Sequence, residues 1–135
     1  MKKLYATLQV ANTLSEIRAK QAGDWQFEPH HNIIVTSLDV GDWKYNYLIM
    51  IHELIESLLC MVRGISEEDV TDFDVAFETE RDQGKHSPED EAGDDPRAPY
   101  KEPHSFPTII ERLVAREIGI RWNEYEVAVL AALKQ

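Results

Sequence analysis

His52 and Glu56 stand four residues apart in the most apolar run of the chain, Tyr45 to Val62. On a helix that spacing stacks two side chains on one face, one turn apart. An imidazole nitrogen and a carboxylate oxygen then reach the same point. Such a pair grips a divalent metal ion, or else it forms a side-chain hydrogen bond across one turn. Glu53 follows His52 and points about 100° away; in metallohydrolases the carboxylate next to the first histidine serves as general base. His104 and Glu111 lie seven residues apart, two turns, on the edge of a second helical segment. If the two edges face each other, His52, Glu56, His104 and Glu111 form a set of two imidazoles and two carboxylates on adjoining helices. That set admits Zn²⁺, Mn²⁺, Fe²⁺ or Mg²⁺. The other reading has His104 capping or preceding its helix and Glu111 paired with an arginine. The single cysteine, Cys60, excludes an internal disulfide and a thiolate metal cluster, and reads as a small residue at the core edge.

The elements that must position these groups are legible around them. Gly41-Asp42 opens the first long helix with Asp42 as N-cap, and Gly64 stops it after about Arg63. On a helical wheel Met50, Leu54, Leu58 and Met61, flanked by Tyr47, Ile51, Ile55 and Val62, form a broad apolar arc that should face the core. Tyr45, Ile49 and Cys60 share the His52/Glu56 edge. A freely solvated face rarely carries such residues, so that edge should be covered as well. Ser66 caps the next helix, whose stripe is Val70, Phe73 and Phe77. Residues 82–103, with four of the six prolines and ten charged residues, read as a long acidic loop. A helix then starts at His104 or Ser105, with Pro107 in its first turn and Ile109, Leu113, Phe106, Ile110 and Val114 as its apolar arc. It ends near Gly119. A last helix covers about 122–134.

Upstream, residues 4–10 read as an edge strand, 13–21 as a short helix capped by Thr13 or Ser15, and 25–27 and 33–37 as strands. His30-His31 falls in the turn between the last two. The expected fold is α+β: one domain over 1–135, with a small N-terminal antiparallel sheet of two or three strands packed on about four helices.

The net charge of −11 belongs to one segment. Residues 66–95 hold thirteen acids and two bases, while the rest of the chain is balanced. That distribution disfavours non-specific binding to nucleic acid or to an anionic membrane. No stretch reaches the roughly 18 uncharged apolar residues of a bilayer span, and no secretory leader is evident. A cytoplasmic protein is expected.

The run His-Glu-Leu-Ile-Glu, 52–56, resembles the His-Glu-x-x-His helix of zincin metallopeptidases over five residues, with Glu56 in place of the second histidine. The wider pattern is Gly41-Asp42-Trp43-Lys44-Tyr45, Cys60 through Arg63-Gly64-Ile65, Phe73-Asp74, Gly93 to Tyr100, and His104 through Ile110-Glu111-Arg112. In this pattern the chain resembles a family of small uncharacterised proteins from bacteriophages and prophages. The resemblance implies a phage or prophage origin and a cytoplasmic setting, and it makes 93–103 part of the pattern rather than filler. That stretch is expected to fold over the His-Glu face and offer Asp94, Asp95 or Tyr100.

Three function classes follow. One is a metal-dependent hydrolase with the four ligands above and Glu53 as base. The second is a Mg²⁺-dependent nucleotide pyrophosphatase resembling the all-α MazG and dUTPase group, with Glu53/Glu56 and Asp69/Asp72 as its acidic pairs. The third is a non-enzymatic accessory protein that binds a host factor. The partner is then a small molecule or a host protein, and a homodimer is expected if the His-Glu face is left open in the monomer.

Overall fold

A computed structural model describes residues 1–134. Three strands are followed by four helices: β1 (Ala6–Ala11), β2 (Gly23–Glu28), β3 (Asn32–Leu38), α1 (Trp43–Arg63), α2 (Glu67–Asp82), α3 (Lys101–Glu117) and α4 (Trp122–Leu133). The fold is α+β, as the sequence indicates.

The sheet runs β1-β3-β2 and is mixed rather than antiparallel. β2 and β3 form an antiparallel hairpin with Trp25 opposite Val35. β1 pairs parallel to β3, with Leu8 opposite Val35. The hairpin loop is Pro29-His30-His31, and both histidines take left-handed backbone angles (φ 64° and 63°). Histidine is among the few side chains enriched in that region, so these two serve the turn. The segment expected as a helix at 13–21 is two short 3₁₀ turns, Leu14–Glu16 and Arg18–Lys20. The Glu16 carboxylate accepts from the Thr13 backbone N–H at the start of the first.

β3 is the buried strand, with Ile33, Val35, Ser37 and Leu38 directed inward. α1 lies across that face of the sheet, and α3 packs along α1. Asp42 caps α1 by accepting from the Lys44 N–H, and Gly64 ends it in the left-handed conformation. α1 is also the one helix among the described residues long and apolar enough to cross a membrane, with a mean hydropathy of 1.2 over 18 residues. Here it is the central strut of the fold. Ser66 caps α2 through the Asp69 N–H. α3 begins at Lys101, three to four residues before the expected start, so Pro107 lies in its second turn. Pro107 lacks the N–H that would otherwise reach the Pro103 carbonyl on the preceding turn.

The burial of α1 partly inverts the expected pattern: the His52/Glu56 edge is covered, as expected, and Met50 is buried, but part of the apolar arc faces out. Asn46, Leu48, Ile49, Met50, His52, Glu56, Ser57 and Cys60 are its buried residues. Tyr47, Leu58 and Val62, assigned above to the core arc, are at least half exposed. α3 repeats the inversion: His104, Glu111 and Ala115 are buried, whereas Phe106, Ile109 and Leu113 are exposed. The polar edges of both helices meet inside the protein, and part of each apolar arc faces out. One apolar cluster gathers Leu48, Ile49, Ala115 and Tyr125, and another gathers Trp25, Val35, Met50, Cys60 and Tyr100. The His-Glu edge lies between them along the α1–α3 seam.

Candidate metal centre

The seam brings His52, Glu56, His104 and Glu111 together, each less than a tenth exposed. They do not converge as four equal ligands. Three atoms face one another: His52 Nε2 is 3.1 Å from Glu56 Oε2 and 3.1 Å from His104 Nδ1, and His104 Nδ1 is 2.9 Å from Glu56 Oε2. Glu111 stands behind them, with Oε1 2.8 Å from His52 Nδ1, the other ring nitrogen. Its expected place as a fourth ligand is therefore replaced by a position one bond removed, where it fixes the orientation of the His52 ring.

Each member of the triangle has a holder on its far side. His52 has Glu111. Glu56 accepts a hydrogen bond through Oε1 from Trp25 Nε1 on β2, at 3.0 Å. His104 Nε2 lies 3.4 Å from Glu91 and 3.6 Å from Asp94. Asp94 lies in the 3₁₀ turn Ala92–Asp94 and Glu91 immediately precedes it, within the acidic loop, and Gly93 of that turn packs directly on the His104 imidazole. The loop is thus folded over the His-Glu face, as the sequence pattern implied. It reaches the site through Asp94, and through Glu91, which had not been singled out. Asp95 instead pairs with Arg97, and Tyr100 donates to Asp74 on α2.

Electrostatics follow from that packing. Burial opposes charge on His52, yet the Glu111 and Glu56 carboxylates outweigh it and raise its pKa well above the ordinary value. Burial likewise opposes charge on His104, and Glu56 and Glu91 lift it to about 10. Glu56, despite burial, is held at about 2 by the two imidazoles. Glu53 behaves in the opposite way: burial and the neighbouring Glu56 charge push it well up. It lies on the sheet side of α1, against the Gly23 backbone.

Glu53, Glu56 and Asp74 line a cavity of about 10 Å³ with Asp24, Glu67 and Thr71, room for about one water. Arg18 neutralises two of those acids, at 2.8 Å from Asp24 and 2.7 Å from Glu67. Asp74 is pushed up to about 7 by burial, against the hydrogen bond from Tyr100. The expected second acidic pair, Asp69 and Asp72, does not take part, because both are exposed on α2. α2 turns Glu67 and Asp74 toward Glu53 and Glu56 instead.

Trp25, Asp74 and Glu91 are the site residues that sequence reasoning passed over. Phe73-Asp74 carried a signal, since an acid beside a stripe aromatic on an amphipathic helix sits next to the buried face. Trp25 and Glu91 carried none, because their contacts span 31 and 13 residues. Comparison with family models, with curated proteins and with solved structures returns no match for this chain, so its chemistry rests on the geometry alone.

Proposed function

We propose that this chain binds one divalent transition-metal ion through His52 Nε2, Glu56 Oε2 and His104 Nδ1, and uses it in metal-dependent hydrolysis. The observation that carries the reading is the triangle of donor atoms with edges of 2.9–3.1 Å. Ligands about 2.0–2.1 Å from one ion are separated by about 2.9 Å at right angles and about 3.4 Å in a tetrahedron, so the triangle has the size of one face of a coordination shell. Two ring nitrogens 3.1 Å apart and aimed at the same oxygen repel if both carry protons. A single cation in place of those protons satisfies all three atoms.

Two imidazoles and one carboxylate favour Zn²⁺, Mn²⁺ or Fe²⁺ over Mg²⁺, which prefers oxygen. Three protein ligands leave positions for water or substrate, the arrangement of catalytic rather than structural sites. When bound, the ion supplies Lewis acidity and lowers the pKa of water. With an ion bound, Glu111 and Glu91 would hold the two rings in their tautomers, and the nitrogens facing the triangle would give up their protons. Glu53 is the proposed general base: it lines the one-water cavity together with Glu56, and a cation held by Glu56 would lower its raised pKa toward the ionised form that can take a proton. The likeness to phage and prophage proteins and a cytoplasmic setting belong to the same proposal.

The test is elemental analysis of protein purified without chelator, followed by Co²⁺ titration of the stripped protein. Bound metal near one per chain is expected, with Co²⁺ absorption bands that His104→Ala and Glu56→Gln weaken or abolish. Turnover on ester, amide and phosphoester probes should be lost in Glu53→Gln while metal is retained. A native protein with no ion, whose melting temperature Zn²⁺, Mn²⁺ and Fe²⁺ all leave unchanged, rejects the proposal.

A further inference from the structure

β1 lies at an edge of the sheet, and its outer side is open. The Tyr5 carbonyl accepts from the Ile33 N–H and the Ala11 carbonyl from the Asp39 N–H, so odd-numbered residues turn their backbone toward β3. In a parallel pairing the intervening residues, Ala6, Leu8 and Val10, turn their N–H and C=O groups away. No described residue pairs with them. The even side chains sit on the α1 side of the sheet, yet Leu8 is 44% exposed and Val10 43%. They line an open groove with Trp43, Tyr47 and Met50, of about 290 Å³. Trp43 at 69% and Tyr47 at 52% exposure extend the apolar surface along the first turns of α1, and Leu4 extends it at the other end.

We infer that this face binds a second copy of the chain, with β1 pairing antiparallel to its twin about a twofold axis at Leu8. The inference stands apart from the metal centre and draws on none of its residues. Three observations select this occupant. The first is charge. A chain of net −11 associates with itself most readily through a face away from its acidic segment. β1 is uncharged from Ala6 to Ala11, and the sheet order places it at the edge opposite β2. The acidic α2 is tied to the β2 side, where Glu67 accepts from the Phe27 N–H and from Arg18. Pairing through β1 therefore keeps the two acidic segments apart.

The second is the hydrogen-bond pattern. With the axis at Leu8, the two Leu8 residues face each other and Ala6 faces the twin's Val10, so every outward group of the three residues is paired. The third is area: Leu4, Leu8, Val10, Trp43 and Tyr47 expose on the order of 550 Å² per copy, about two-thirds of the ~800 Å² per partner of a stable interface, to which the paired strand edge adds. An exposed apolar edge of this kind is otherwise blunted by charge or proline, and β1 has neither.

Sedimentation velocity on the full chain at 10–100 µM tests this. A dimer is expected, converting to monomer in Leu8→Asp with the far-UV circular dichroism unchanged. Cysteine substitution gives a second reading that survives any loss of affinity. Facing residues of such a hydrogen-bonded pair have Cα atoms about 5.5 Å apart and Cβ atoms at a similar distance, within the span of a short bis-maleimide. Leu8→Cys should therefore give a covalent dimer with that reagent. Val10→Cys should not, since the twin's Val10 is about 13 Å along the strand. The native Cys60 is fully buried and does not interfere. A monomer at 100 µM with no Leu8→Cys cross-link overturns the inference. So does a dimer that persists in Leu8→Asp, including one that Leu113→Asp disrupts instead, which would assign the interface to α3.

Discussion

Glu111 Oε1 lies 2.8 Å from His52 Nδ1, with Glu56 and His104 on the opposite nitrogen of the same ring. The imidazole is thus held from behind by a buried carboxylate while its other nitrogen faces the donor triangle. A carboxylate in this position makes the histidine a better ligand and fixes its tautomer. Glu111→Gln should weaken metal binding by about 10–100-fold and leave its stoichiometry unchanged, as read by competition against a chromophoric chelator. Loss of a full equivalent would make Glu111 a ligand, and unchanged affinity would remove it from the centre.

The same logic applies to Trp25, whose indole N–H donates to Glu56 Oε1 at 3.0 Å. Trp25→Phe keeps most of the ring volume and leaves a buried charged oxygen with no donor from the sheet. The expected cost is about 1–3 kcal/mol, measured by urea denaturation of the metal-free protein. Because Trp25 also packs in the core with Val35 and Met50, Trp25→Leu should cost more. Equal losses in the two variants would mean that packing alone accounts for Trp25.

Asp74 gives a pH signature. Its carboxyl is pushed up to about 7 by burial, against about 3.9 in an unfolded chain. Between those values the folded state holds more proton than the unfolded one, so stability falls as pH rises from about 4 to about 7 and levels off above. Asp74→Asn keeps an acceptor for the Tyr100 hydroxyl and removes the ionisation. The variant should match the parent at pH 4 and exceed it at pH 8 by up to a few kcal/mol, with both proteins in chelator. A difference independent of pH would show that Asp74 carries no ionisation penalty.

Much of this arrangement was legible in the chain. The Asp42 and Gly64 caps define α1 to the residue, and the four-residue spacing of His52 and Glu56 places both on one edge. Ile49 and Cys60 mark that edge as covered, but they do not say by what: its meeting with His104 was one of two open readings, the other placing Glu111 against an arginine. Other features were not. The parallel pairing of β1 depends on its return across β3, which no local spacing encodes. The inversion of burial on α1 and α3 escaped a wheel that ranks residues by hydropathy alone. Four mutually bonded polar groups satisfy one another inside, leaving Leu58, Val62, Phe106 and Ile109 outside. Glu111 was placed on the right edge, but that it meets the far nitrogen of His52 rather than the donor triangle is a distinction beyond sequence spacing.

Gly93 closes the site from the loop side. A Cβ built there would fall within 2.6 Å of His104 Cδ2, far inside van der Waals contact. Neither neighbour yields easily. The His104 ring is held by Glu56 at 2.9 Å, and the 3₁₀ turn carries Glu91 and Asp94 toward the same ring. Gly93→Ala must therefore displace either the turn or the imidazole. Overpacking of this kind costs about 1–3 kcal/mol, and a ligand moved by an ångström no longer completes the triangle. The variant should lose stability by that amount and bind Co²⁺ at least tenfold more weakly. If the turn alone moves, stability falls while Co²⁺ affinity and spectrum stay as in the parent, and the loop is then a cover with no part in holding His104. A variant unchanged in both measurements would contradict the close approach of Gly93 to the ring.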